Sequence, residues 1–260
     1  MSASTPQPHP SNQPDNPVEL QLRRMTRRSF TAGAIAAAGG LAGLGWLKTR
    51  APIDGLEWPL RRTLEWNERL AQAYFRSTRR APTFPMSAAR TPRPNGAVGL
   101  GNGFDPKTWS LRVATPNDRR LPKIGLDAIK TLPRVEMVTE LKCIEGWSER
   151  VYWAGARLAD FVQKFRLMEL SNPFKYATLS TPDDAYYVGL DIESALHAQT
   201  LLCYEMNVEP LTSEHGAPLR LVIPLKYGIK NIKRIGTIRF TNERPADYCA
   251  ERGYDWYAGH

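Results

Sequence analysis

Nineteen consecutive residues, 29–47, carry no charge, and they follow directly on Arg23-Arg24-Met25-Thr26-Arg27-Arg28. The stretch is mostly Ala and Gly, punctuated by Ile35, Leu41, Leu44, Trp46 and Leu47. Five glycines fall inside it. Each costs a helix interior up to about 1 kcal/mol relative to Ala, which weighs against a buried core helix. A basic segment followed by a short, mildly apolar one is instead the pattern of an export signal. Thr26-Arg27-Arg28-Ser29-Phe30 matches its twin-arginine form, and the weak hydrophobicity suits that route. Residues 30–47 are also just long enough to anchor in a bilayer. Residues 1–22, rich in Pro, Ser, Asn and Gln, are too polar to fold alone and are expected to be disordered. The expected location is therefore the periplasm or cell envelope. The twin-arginine route carries folded proteins, usually because a cofactor was inserted before export.

Composition narrows what the rest can be. The net charge is +9 over 260 residues. Residues 1–50 hold six Lys/Arg and two Asp/Glu, leaving 29 against 24, a net +5, for the remainder. Acidic residues are spread throughout, and no basic stripe with interleaved aromatics runs along the chain. A nucleic-acid partner is not expected. The three cysteines, Cys143, Cys203 and Cys249, are no disulfide framework. At most one pair can form, and the leftover thiol of an exported chain calls for a reason such as metal ligation.

Hydrophobic periodicity predicts a single α+β domain, strand-rich after residue 109. Leu56, Leu60, Leu64, Leu70, Ala71, Tyr74 and Phe75 recur at roughly helical spacing, which predicts a helix over 56–80 with an apolar face. Residues 81–108 hold five prolines and four glycines and read as a long loop. Alternation predicts strands at 109–113, 135–143, 176–180 and 186–190, with β-rich segments at 219–224 and 235–240. Short helices are expected at 125–132, 157–167 and 192–199. The organisation read this way is residues 1–50 as disordered leader and signal or anchor, 51–84 as a helical extension, and 85–260 as the main domain.

Cys143 closes one predicted strand and opens the segment Cys143-Ile-Glu-Gly-Trp147. Taken alone, such a cysteine is as well explained as a small buried hydrophobe. Likewise His215-Gly-Ala-Pro-Leu-Arg220 alone is a turn feeding a strand, and Lys226-Tyr-Gly-Ile-Lys-Asn-Ile-Lys233 a basic loop. In fixed order with Trp153-Ala-Gly-Ala-Arg-Leu158, however, these segments resemble the sulfite oxidase superfamily. Within it the resemblance is to the catalytic subunits of periplasmic methionine-sulfoxide reductases, over roughly residues 85–250.

The resemblance implies a sulfite oxidase fold and a Mo-molybdopterin cofactor, with Cys143 as the protein's metal ligand; a soft thiolate suits that role. Arg220 and Lys233 match the family's cofactor-binding Arg and Lys, as a buried phosphate requires. Asn231 and Ile232 match loop positions whose backbone approaches the pterin. His215 matches the first residue of the family's H/N-G-x-P-x-R segment, Thr181 a cofactor-contacting threonine, and Asn95, in Arg93-Pro-Asn-Gly96, an upstream asparagine on the pterin. Lys230 is expected either at the cofactor or in solvent.

The implied reaction is a two-electron oxygen-atom transfer. Glu145 follows the cysteine, with no arginine until Arg150, and would repel an anion; this favours a neutral S-oxide, small or protein-bound, over sulfite as the runner-up. The chain has no room for the immunoglobulin-like domain of sulfite oxidases or the longer C-terminal segment of the reductases. Residues 56–90 are therefore expected to rebuild part of the substrate pocket. With no C-x-x-C-H motif, electrons are expected from a partner, which the resemblance makes a membrane b-type heme protein. The Arg-rich residues 61–80 either dock such a partner or form a solvated helix face. A reading from another class is a metal-free exported binding domain that kept the fold.

Overall fold

A computed structural model of the chain describes residues 17–53, 56–101, 104–115, 123–168 and 173–260. Two compact units are resolved, Met1–Ala51 and Pro52–His260. The first is one helix, α1 (Pro17–Lys48), which starts inside the segment that composition marks as too polar to fold alone; residues 1–16 lie outside the described residues. Its Arg28–Lys48 portion is 21 residues long, with mean hydropathy 1.4 and none of it buried. By length and composition that portion can cross a membrane or serve as a signal.

In the second unit the chain runs α2 (Trp58–Tyr74), β1 (Arg112–Ala114), α3 (Leu126–Lys130), β2 (Arg134–Lys142), β3 (Ser148–Arg157) and α4 (Leu158–Lys164). It continues through β4 (Tyr176–Ser180), β5 (Tyr187–Asp191), α5 (Ile192–Ala195), β6 (Leu201–Met206), β7 (Glu209–Pro210), β8 (Arg220–Val222) and β9 (Thr237–Thr241). One sheet has the order β1-β9-β4-β5, with β1 parallel to β9 and the other pairs antiparallel. The other runs β2-β3-β6-β7, all antiparallel, and β8 also pairs with β6.

The main core draws on both sheets: Leu179, Leu190, Ile238 and Phe240 from the first meet Leu202, Tyr204 and Leu221 from the second, with Leu158 and Phe161 of α4. On its other face the second sheet packs Met137, Val151, Trp153, Leu201, Cys203 and Val222. Because both faces are covered, Val151-Tyr-Trp-Ala-Gly-Ala156 and Leu201-Leu-Cys-Tyr204 run apolar without alternating. That is the pattern in which a strand loses its period-two signal. It explains why β3 and β6, the centre of this sheet, escape the sequence reading.

Helix α2 corrects an expectation. Its buried residues are Arg61 and Glu68, whereas Leu60, Leu70 and Tyr74 of the predicted apolar face are exposed. Arg61 donates to the carbonyls of Ala250 (2.7 Å) and Ile53 (3.3 Å), and Glu68 accepts from Arg244 at 2.7 Å. The helix is held by these charged contacts together with half-buried Leu64, Ala71 and Phe75, the last two packed against Ala250, Trp256 and Tyr257.

Candidate active site

Strand β2 stops at Lys142, and Cys143 begins a tight turn closed by Cys143 N donating to Trp147 O (2.8 Å) and Gly146 N donating to Cys143 O (3.2 Å). The turn holds the half-buried thiol on the wall of a cleft of about 220 Å³. Asn95, from the Pro/Gly-rich loop, points its Nδ2 at Cys143 Sγ (3.6 Å) and at Glu145 Oε2 (3.3 Å). Arg93 pairs with Glu145 at 3.2 Å and lies 4.8 Å over the Trp147 ring. Hydrogen bonds from Trp147 and Asn95, with the Arg93 charge, hold the Glu145 carboxyl below its ordinary range.

The opposite wall is cationic. Arg220 opens β8, fully buried, and donates to the carbonyls of His215 (3.1 Å) and Asn231 (3.2 Å) while lying 4.9 Å over Trp153. Its Nε is buried with no hydrogen-bond partner, and no carboxylate pairs with the guanidinium among the described residues. Burial pushes Arg220 down to about 10. Burial, then the Arg220 charge, pushes Lys233 down to about 8. His215 is lowered by burial and by both cations. Lys233 Nζ donates to the carbonyls of Asn95 (2.6 Å) and Gly96 (3.2 Å), tying this wall to the thiol's. The two cofactor-type segments meet at Gly216. Its φ is +98°, and a Cβ there would stand 2.8 Å from Arg234 N and 2.9 Å from Lys233 Cα. Only glycine satisfies both the left-handed turn and that approach.

Asn95, Cys143, His215, Arg220, Asn231, Ile232 and Lys233 thus line one cleft. Asn231 faces it while its side chain braces the loop, accepting from Ile223 N (2.8 Å) and donating to Tyr227 O (3.2 Å). Thr181 does not line the cleft: it is buried, and its hydroxyl donates to Asp183 Oδ1 (2.6 Å) and accepts from Tyr186 N (3.1 Å), closing the β4–β5 turn. Lys230 faces neither the cleft nor solvent; its buried ammonium pairs with Asp247 at 2.5 Å and donates to Gly189 O at 2.8 Å. No residue of 56–90 lines the cleft; the extra wall comes from Pro92, Arg93, Asn95, Gly96 and Val98.

Arg93, Trp147 and Tyr186 are lining residues that sequence reasoning missed. Tyr186 donates to Ile229 O at 2.7 Å and approaches Cys249 Sγ at 3.4 Å; burial and Cys249 push its phenol far up. Nothing in the local pattern singles out Tyr186, whereas the Arg93-Pro-Asn-Gly96 segment that carries Asn95 was a signal for Arg93. The thiols of Cys203 and Cys249 are both free, Cys203 inside β6 and Cys249 beside Tyr186.

A cleft with an accessible thiol on one side and, on the other, a half-buried Lys233 beside a buried Arg220 with an orphaned guanidinium N–H and no ion-paired carboxylate among the described residues fits a metal-bearing group that carries an anionic tail. The class follows from fold and cleft together: the chain belongs to the oxidoreductase molybdopterin binding domain family, whose model matches residues 98–249. It is an oxidoreductase whose cofactor is Mo-molybdopterin, and its α+β architecture is the sulfite oxidase fold. This membership goes against the metal-free reading. The matched stretch takes in every predicted site residue except Asn95.

Among individual proteins, it is 30% identical over 247 residues to the provisionally named protein-methionine-sulfoxide reductase subunit YedZ1 of Azospira oryzae, covering 93% of this chain and 89% of that one. It is 33% identical over 178 residues to the protein-methionine-sulfoxide reductase catalytic subunit MsrP of Campylobacter jejuni, covering 62% of this chain and 60% of that protein. The corresponding subunit of Xanthomonas campestris is 34% identical over 149 residues, 53% of this chain and 46% of its own length. The matched region thus spans only about half to three fifths of those two MsrP subunits. Among solved structures, the sulfane dehydrogenase SoxCD of Paracoccus pantotrophus shares the fold, with a TM-score of 0.50 at 15% identity over 65% of this chain and 46% of that one.

Proposed function

We propose that this chain is an exported oxidoreductase that transfers one oxygen atom in a two-electron step, reducing a neutral S-oxide such as methionine sulfoxide, free or within a protein. The single observation that carries the reading is the Cys143 sulfur on the wall of a cleft whose other wall is the cationic group Arg220, Lys233 and His215, with Arg220 in no ion pair among the described residues. The names of the relatives in Azospira, Campylobacter and Xanthomonas support the substrate class.

When bound, the molybdenum–pterin group supplies a centre that changes oxidation state by two electrons as an oxygen atom moves. The residues of this chain bind and orient. Cys143 is the thiolate ligand. Arg220 and Lys233 would hold the phosphate, with His215 on the same wall, and Asn95, Asn231 and Ile232 would bound the pterin. Thr181 acts behind them by fixing the turn that presents Tyr186, whose hydroxyl is already committed to Ile229 O.

The neutral preference rests on the rim. Of the two arginines that line the cleft, Arg93 is spent on Glu145 and Arg220 is assigned here to the cofactor phosphate, so neither is left for sulfite. Pro92, Val98, Leu141, Ile144 and Trp147 make the remaining rim apolar. Arg93 corrects the view from sequence that Glu145 stands alone; apolar lining, not repulsion, is what suits a thioether oxide. Electrons come from a membrane b-type heme protein, and α1 keeps the chain in the periplasm or envelope as signal or anchor after twin-arginine export.

The purified full chain, assayed with reduced viologen and methionine sulfoxide and separately with sulfite and ferricyanide, tests this. Sulfoxide-dependent oxidation of viologen is expected, with sulfite turnover lower by at least about tenfold, one unpaired charge's worth of discrimination. Turnover of sulfite alone would overturn the substrate assignment.

A further inference from the structure

Helix α2 carries large apolar side chains on its outer face as well as smaller ones, Leu64 and Ala71, on its inner one. Its buried side chains are charged, Arg61 at 5% and Glu68 at 6% exposure, while Leu60 (55%), Trp66 (58%), Leu70 (51%) and Tyr74 (64%) stand in solvent. At 100° per residue these four fall on one stripe less than half the helix circumference wide. Arg62 and Arg69, two turns apart, run along one edge of it, and Arg76, Arg79 and Arg80 continue the basic edge past the helix end, all exposed. The Arg79 guanidinium lies 4.0 Å over the Tyr74 ring. The acids nearby balance this only in part: Glu68 is turned inward onto Arg244, and Glu65 offsets Arg62, while no ion pair among the described residues offsets Arg69, Arg76, Arg79 or Arg80. An apolar stripe of Trp, Leu and Tyr edged by arginine is the make-up of a helix lying in the headgroup layer of a bilayer. In chain order α2 follows the uncovered apolar helix Arg28–Lys48 after only nine residues.

We propose that the outer face of α2 binds the surface of an anionic lipid bilayer, with Trp66, Leu70 and Tyr74 in the interface and the arginines against lipid phosphates. Leu60, Trp66 and Leu70 stand out from a single helix, and Tyr74 borders a cavity of only about 30 Å³; so nearly convex a stripe suits a fluid surface better than the shaped contact of a partner protein. The inference rests on the envelope location proposed above, and a test that reads α1 and α2 separately keeps the two apart.

Full-length protein is reconstituted into vesicles of phosphatidylcholine brominated high on its acyl chains, with and without phosphatidylglycerol. Subtracting the emission of the Trp66→Phe variant isolates Trp66 on α2, and subtracting that of Trp46→Phe isolates Trp46 on α1. With phosphatidylglycerol present, about half of the Trp66 emission should be lost to bromine. The loss should shrink without the anionic lipid, at raised salt and in the Arg62→Glu/Arg69→Glu variant. Unchanged molybdenum content and circular dichroism would show that these surface variants are folded. Trp46 quenched with Trp66 untouched would overturn the proposal while leaving the membrane location standing, even if a protein later proved to cover α2. Both untouched would overturn the two together. Equal Trp66 quenching with and without phosphatidylglycerol would overturn the anionic requirement.

Discussion

Lys233, half-buried, and Arg220, buried, crowd two cations onto one wall, and the consequence is a pH dependence with a definite sign. In the cofactor-free protein Lys233 is lowered from 10.5 to about 8, by burial first and Arg220 second. Its charge therefore costs stability fully below pH 8, and that cost fades as the pH rises toward 10.5, where the unfolded chain also loses the proton. A bound phosphate reverses the preference, because it needs the ammonium charged. Cofactor affinity should thus fall as the pH rises above about 8, by at most about tenfold per unit. Release of the pterin followed by fluorescence from pH 7 to 10 checks this, with Lys233→Arg expected to flatten the profile; a flat wild-type profile would exclude Lys233 from phosphate binding. At this scale the sequence read well wherever a residue's chemistry was unusual for its place. Cys143, His215, Arg220 and Lys233 stood in ordered motifs, and the fold brings them to one cleft. Thr181 was placed by motif alone, and nothing in its own letters could show that its hydroxyl serves a turn. Arg93 was signalled by its segment, but its role was not, because that role depends on Glu145, 52 positions later in sequence.

At the scale of elements, the loop between β8 and β9 is nailed down from behind. Lys230 reaches Asp247, which also accepts from the backbone N–H groups of Gly189 (3.0 Å), Cys249 (3.1 Å) and Ala250 (3.0 Å). Burial lowers the Lys230 pKa and Asp247 opposes it, so each charge depends on the other. Removing one partner leaves a buried charge: Lys230→Met or Asp247→Ala should each cost about 3–5 kcal/mol, and the double variant less than their sum by about 2 kcal/mol. Urea denaturation of the three variants checks the cycle; strict additivity would show the pair uncoupled. Between β3 and β6 the constraint is steric. The register shifts at Ala154/Gly155, and a Cβ on Gly155 would stand 2.3 Å from Leu202 O and 2.7 Å from Cys203 Cα. Backbone atoms cannot swing aside as a side chain would. Gly155→Ala should therefore destabilise by about 1–3 kcal/mol, read by the same denaturation; an unchanged midpoint would mean the strands can part. These central strands were the least legible elements, because burial on both faces erases alternation, whereas β4, buried on alternate residues, kept its own. The α2 helix was legible as a helix but not as to which side faces in, since periodicity reports a stripe and not what covers it.

For the whole molecule, the order of segments carried more than any one of them. A lone thiol, a basic loop and a Pro/Gly turn each have bland explanations. What joins them is a topology in which the end of β2, the start of β8 and the β8–β9 loop converge, and no local pattern encodes that. The central claim is that this convergence puts the Cys143 sulfur on molybdenum while Arg220 and Lys233 hold the tail of its pterin. X-ray absorption at the molybdenum edge, on the protein as isolated and on Cys143→Ser, tests it most directly. Wild-type protein should contain about one molybdenum per chain, the coordination of a single-site cofactor enzyme. The variant, with whatever metal it retains, should show one sulfur neighbour fewer. An identical sulfur count in the two proteins, or wild-type protein without molybdenum, would contradict it.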